Sequence, residues 1–230
     1  MKNQLEVFIK GNRIDRNIYL TSDVDEYNAT YILDKIHAIN REEVRRQNEL
    51  QNELVQIAGE LEVITGDTQS PEEKKKAMIK FKGNEIKPIN LHISSRGGEV
   101  LSGLMIVDAI LTSEVPVYAY IHNAHSMASV IAMVCDLRIG YPTTTFMIHD
   151  ISYGEYGKFE EHLNRFEVVA EMKRKIKYFA MEYSEIPEDI YDEKLKGKDW
   201  YLNKREMDKY NIIDEIANYK KFNKGGETSE

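Results

Sequence analysis

The chain has a single cysteine, a single tryptophan and only five prolines in 230 residues. One thiol excludes an internal disulfide framework and suits a reducing compartment. That thiol, Cys135, lies in the apolar run "SVIAMVCD" with no activating base nearby in sequence. An inert, buried thiol is expected rather than a nucleophile. The chain also lacks any apolar run approaching the ~18 residues of a membrane span. "MKNQLEVFIKGNRIDRN" lacks the continuous apolar stretch of a signal peptide. A soluble, cytoplasmic protein without a membrane partner is expected. Positive charge is in deficit, with 31 Lys and Arg against 39 Asp and Glu, a formal net charge of −8. Nucleic-acid binders ordinarily carry a basic face, so nucleic acid is not an expected partner.

What the chain does contain is a globular core, with 42% hydrophobic residues, an ordinary share for a packed domain. "NIYLTSDV" reads as a short strand and a polar turn. From Tyr27 the spacing becomes helical, with Tyr31, Ile32, Ile36 and Ile39 at intervals of three and four. Between about residues 40 and 87 the composition turns to charge and amide. Leu50, Leu54, Ile57 and Leu61 make one narrow helical seam there. "GDTQ" breaks it, and Ser70, Pro71 and Glu73 have the form of an N-cap, a first-turn proline and a capping-box acid. An exposed helical hairpin packed on its own body and an arm for protein contact fit this region equally well.

Beyond residue 87, strands and helices alternate. "INLHI" is a strand ending in "SSRGGEV", and "LSGLMIVDAILTS" is helical. "VPVYAYIH" is the next strand, and "SMASVIAMVCD" a short helix apolar on nearly every side. "LRIG" and "TTTFMIHD" read as two further short strands. A long amphipathic helix starts at Phe159, with Leu163, Phe166, Ala170 and Ile176 on one side. "IIDEI" is a last short strand, and the tail 218–230 reads as disordered. The alternation implies an α/β fold with largely parallel strands, in one domain over residues 1–217. There is no internal repeat.

Three stretches carry the ingredients of acyl transfer. Paired glycines in "SSRGGEV" permit close backbone approach and can present N–H groups to an oxyanion. Alone, such a pair is more often just a turn. Ser126 stands where a strand gives way to an apolar helix, a place where serine is ordinarily a cap. His149 ends the strand "FMIHD", where a histidine is usually structural. Their conjunction matters: nucleophile, base and oxyanion donors are the parts of a serine hydrolase. His125 adjoins Ser126, but neighbouring side chains do not face each other, so His149 is the better base. His122 and His125 have an i, i+3 spacing that a metal could use, but no third ligand is evident, and no metal site is expected.

These motifs together resemble the proteolytic subunit of Clp protease, the ClpP family of serine endopeptidases. The resemblance runs from about Arg16 to Ile216, excluding the charged insertion. "RNIYLTSDVD" resembles the family's first strand and turn, and "LHISSRGGEVLSGLMIVDAI" its strand, glycine turn and helix. "HNAHSMASVIAM" resembles its nucleophile segment, "FMIHD" its Met-Ile-His motif, and "WYLNKREMDKYNIIDEI" its closing segment. "SVIAM" is also similar to divergent Clp-like peptidases of tailed phages. Arg96 and Ala128 depart from the family's proline and glycine at their positions.

The resemblance implies the spiral α/β fold shared with crotonases. It implies Ser126 as nucleophile, His149 as general base, and the N–H groups of Gly98 and Met127 as oxyanion hole. The triad acid is expected at Glu193, with its neighbour Asp192 as the alternative; Asp150 would point elsewhere. No metal or cofactor is implied. Polypeptides are the implied substrates, cut inside a homo-oligomeric ring, a heptamer or two stacked heptamers. The helix from Phe159 would be the handle joining the rings. An AAA+ unfoldase or a phage capsid scaffold would deliver the substrate. A ring subunit that has lost activity is the alternative reading, and an acyl-CoA enzyme of the crotonase type a more distant one.

Overall fold

A computed structural model describes residues 14–65, 86–152, 154 and 158–217. The N-cap sequence Ser70, Pro71 and Glu73 and the tail 218–230 lie outside the described residues. The first elements are β1 (Asn17–Leu20), α1 (Glu26–Thr65), β2 (Ile89–Ser95) and α2 (Val100–Leu111). Next come β3 (Val117–His125), α3 (Met127–Met133) and β4 (Leu137–Ile148). The last are α4 (Phe159–Glu182), α5 (Glu188–Leu195), β5 (Trp200–Leu202), α6 (Lys204–Lys209) and β6 (Glu215–Ile216).

The strands form one sheet in the order β1-β2-β3-β4-β5, with β6 also pairing β4. β1 to β4 are mutually parallel, as is the β4–β6 pair, and among the described residues only β5 runs antiparallel. Parallel order follows from the helical crossovers α1, α2 and α3. β2 alternates buried and half-buried residues along its whole length, so one face packs inward. That face joins Ile18, Leu20, Leu91, Ile93, Ala119 and Ile121 to the helices. Each fully buried Ile or Leu contributes about 1.5–3 kcal/mol.

Two boundaries differ from the sequence reading. "LRIG" and "TTTFMI" belong to one strand, β4, whose pairing with β3 jumps from Gly140 to Thr145. Thr144 makes the jump possible: its Oγ1 donates to Ile121 O at 2.6 Å and accepts from Tyr141 N at 2.6 Å. Likewise, the compositional break near residue 40 is not a structural one. α1 continues unbroken to Thr65, about 60 Å at 1.5 Å per residue. Asn40 is tied to the body by Ser113 Oγ and by the N–H of Val115, 3.0 Å from its Oδ1.

Glu43 extends that attachment. It is 3% exposed, receives Arg16 Nη2 at 2.7 Å, and pairs also with Arg46. Arg16 in turn donates to the Lys87 carbonyl. A buried carboxylate therefore joins the entry to β1, the middle of α1 and the approach to β2. Burial alone would raise the Glu43 carboxyl, but the two guanidinium groups outweigh it and hold the group below the usual range. Of the seam residues Leu50 is half-buried, and the side chains of Leu54, Ile57 and Leu61 lie outside the description, as do residues 66–85, so the hairpin or contact-arm question falls largely outside the described residues.

α4 begins at Phe159 as expected, but its apolar face divides. Ile176 and Ala180 enter the core, whereas Leu163 and Phe166 remain exposed. Among the described residues, no helix is long and apolar enough to cross a membrane.

Candidate active site

The chemistry-bearing residues gather at one edge of the sheet because parallel strands end on the same side, where open α/β sheets ordinarily place their ligands. β2 ends at Ser95, just before the glycine turn. Ser126 stands one residue past β3, and His149 one residue past β4. β3 and β4 are neighbours with His125 opposite Met147, and Ser126 N donates to Met147 O at 2.9 Å. This register brings Ser126 Oγ to 2.7 Å from His149 Nε2.

Ser126 has φ 55°, ψ −127°, a conformation unusual for a residue with a side chain. Such backbone strain costs about 1–3 kcal/mol. The following helix offsets it, because every residue of α3 is buried. Ser129 adds a clamp: both its N–H, at 2.9 Å, and its Oγ, at 2.6 Å, donate to Ser126 O. The turn lifts the serine out of the strand while the helix behind it holds the backbone.

The glycine turn packs directly against this elbow. A Cβ on Gly97, φ 94°, would lie 2.6 Å from both His125 O and Ser126 Cβ. A Cβ on Gly98 would lie 2.2 Å from Val24 O. Only glycine fits either position. Val24 bonds to the residues on both sides of Gly98, donating to Gly97 O at 2.8 Å and accepting from Glu99 N at 2.7 Å. In a parallel bridge this turns the N–H of Gly98 itself away from Val24. Met127 opens α3, so its N–H is one of those that helix geometry leaves without an intrahelical partner. Both residues, with Ser126 and His149, line a cavity of about 190 Å³ whose apolar walls include Val100, Val130, Ile148 and Ile176.

The carboxylate nearest the imidazole is neither of the two expected from the sequence. Asp199 Oδ1 lies 3.9 Å from His149 Nδ1, on the side of the ring opposite Ser126. Among the described residues, neither Glu193 nor Asp192 comes within ion-pairing distance of that ring. Glu193 is exposed on α5, and Asp192 is taken up by Lys177 Nζ at 2.8 Å. The reason is strand direction. β5 is antiparallel to β4, with Ile148 opposite Trp200, so the residue before Trp200 falls beside the residue after Ile148. The signal available in sequence was the carboxylate immediately preceding the strand "WYL". Asp150 pairs with Lys173 on α4.

The other candidates are engaged elsewhere. His125 Nε2 lies 3.0 Å from Thr145 Oγ1, and its ring meets Tyr201 edge-on. Burial, helped by the positive charge of Arg96, lowers its pKa. His122 stacks on Tyr141 at 4.3 Å between centroids. These two histidines sit on a strand, where i and i+3 point to opposite faces. Cys135 is buried, its Sγ 3.4 Å from Ile131 O, and burial pushes its thiol far above the ordinary range.

An α/β sheet that ends in a serine, a histidine and a glycine turn defines a hydrolase-like arrangement. Residues 66–220 match the Clp protease family. This span covers more than half of the chain, and the chain belongs to that family. It is 29% identical over 167 residues to the ATP-dependent Clp protease proteolytic subunit of Deinococcus radiodurans, covering 70% of this chain and 73% of the relative. It is 28% identical over 137 residues to the subunit of the same name from Pleurastrum terricola, covering 58% and 69%. In fold it is similar to a ClpP1 mutant from Listeria monocytogenes, with a TM-score of 0.62 at 15% identity over 95% of this chain and 97% of that one. The ClpP-like α/β fold expected from the sequence is thus the fold observed, and the family is that of a protease core.

Proposed function

We propose that this chain is a serine endopeptidase, a single protease domain over residues 1–217 that hydrolyses polypeptides inside a homo-oligomeric ring. The observation that carries the reading is the 2.7 Å approach of Ser126 Oγ to His149 Nε2. That distance suits direct proton transfer. Ser126 Oγ attacks the scissile carbonyl carbon while His149 takes its proton. The C–N bond then breaks, and His149 returns the proton to the leaving amine. Water, deprotonated by the same imidazole, hydrolyses the acyl-enzyme. Asp199, rather than Glu193, accepts from His149 Nδ1 and stabilises the imidazolium; closing the 3.9 Å gap to hydrogen-bond length needs only a small movement. The N–H groups of Gly98 and Met127 hold the oxyanion, a reading supported by their shared cavity with Ser126.

None of these steps consumes a nucleotide, so the subunit itself acts without ATP. The "ATP-dependent" in the relatives' names then belongs to substrate delivery, by an AAA+ unfoldase or, for a phage-type enzyme, a capsid scaffold. The exposed Leu163 and Phe166 on α4 supply an apolar surface for ring-to-ring contact.

Ser126→Ala tests the reading. Peptide cleavage should fall by about 10⁵-fold or more, and labelling by an active-site fluorophosphonate should vanish. Cleavage that survives this substitution would sink the proposal.

A further inference from the structure

Asp199 is more than half exposed, and β5 beside it is only three residues long. So short a ladder is a weak anchor for a group whose angle to the imidazole matters. The anchor lies further along the chain. Trp200 is 5% exposed, meets Tyr210 edge-on at 5.7 Å, and donates its indole N–H to Glu206 Oε1 at 3.2 Å. Lys194 Nζ, at the end of α5, reaches the same oxygen at 3.4 Å and sits over the Trp200 ring.

Glu206 is itself locked. It is the third residue of α6, and its Oε2 accepts from Asn203 N at 3.0 Å and Nδ2 at 2.7 Å. Its own N–H donates to Asn203 Oδ1 at 3.1 Å, completing a capping box. Burial pushes the Glu206 carboxyl upward, but the donors from Asn203, Trp200 and Lys194 outweigh it and keep the group below the usual range. Capping a helix requires only the Asn203 bonds. The contacts to Lys194 and Trp200 go beyond capping, and these two residues bracket the turn 196–199 that ends in Asp199.

We infer that Glu206 is a positioning residue for the triad: through Trp200 and Lys194 it fixes the turn that presents Asp199 to His149. The inference rests on the hydrolytic reading above. A rigid turn matters because Asp199 starts 3.9 Å from Nδ1, where a small displacement decides whether a hydrogen bond forms.

The test uses the full chain in its native assembly, with a fluorogenic peptide. Glu206→Ala removes the hub. Trp200→Phe keeps an aromatic ring and removes the indole N–H, so it carries the test if Glu206→Ala does not fold. Both should lower kcat about tenfold with KM within about twofold, as expected for a misplaced catalytic group. The acid limb of the kcat/KM profile should move to lower pH, because a less aligned carboxylate stabilises the imidazolium less. In an Asp199→Asn background, Glu206→Ala should cost nothing further, because the effect passes through Asp199. A folded Trp200→Phe or Glu206→Ala protein with parental kcat and an unmoved acid limb would overturn the inference. So would a loss of undiminished size in the Asp199→Asn background. Parental activity in Asp199→Asn alone would instead overturn the triad on which the inference rests.

Discussion

The two partners of His149 are held by contrasting parts of the molecule. Ser126 is joined to a helix that is buried at every position, and its backbone is bonded to both β4 and Ser129. Asp199 immediately precedes a three-residue strand and is more than half exposed. The first contact is 2.7 Å and the second 3.9 Å. Core packing holds Ser126, the proposed nucleophile, through α3 and the bonds to β4 and Ser129. Asp199, the proposed acid, depends on a turn, and turns are the parts of a fold that open most readily. In the proposed mechanism, a tight Ser126–His149 pair beside a looser Asp199 leaves one place where small movements would change the rate.

Substitutions can break that contrast. Asp199→Asn should lower kcat by about 10³–10⁴-fold while leaving the fold intact, because it removes the group that stabilises the imidazolium; steady-state peptide hydrolysis together with an unchanged melting temperature checks this. On the rigid side, Gly97→Ala places a Cβ 2.6 Å from His125 O at φ 94°. The elbow must shift, and kcat/KM should fall by about 10²-fold, with stability lower by about 1–3 kcal/mol in urea unfolding.

Glu43 offers a further contrast, a buried acid with no part in the proposed chemistry. Glu43→Gln should lose about 2 kcal/mol at pH 7, with kcat unchanged. Its folded-state pKa is depressed, so its stabilisation is present above the ordinary glutamate value of 4.5 and is lost as pH falls through the lower folded value. The gap between variant and parent should therefore close on acidification, which urea midpoints across pH would show. The smallest effect belongs to Glu193→Gln. That exposed side chain does not face His149, so kcat should stay within about twofold; a loss approaching that of Asp199→Asn would restore Glu193 as the acid.

Legibility in the sequence followed the same divide. "SMASVIAM" and "FMIHD" announce Ser126 and His149 because each sits at a junction between an apolar element and a polar turn. The glycine pair was equally readable, since close approach leaves no room for a side chain. The carboxylate nearest His149 was not readable, because "DEKLKGKDW" offers several carboxylates with no apolar period to separate them. Nor did composition mark the end of α1: charge becomes dense at residue 40, yet the helix continues and buries Glu43 between two arginines. Local composition reports solvent exposure on average, and a paired buried charge looks the same in sequence as a free one.

By itself, the sequence determined the alternation of strands and helices, the parallel sheet and the two residues that meet at 2.7 Å. Those follow from hydrophobic period and turn chemistry, which act over a few residues. Only the tertiary structure decided which carboxylate stands behind the histidine. That choice depends on the antiparallel register of Ile148 with Trp200, residues far apart in the chain, and no local pattern encodes a register between distant strands.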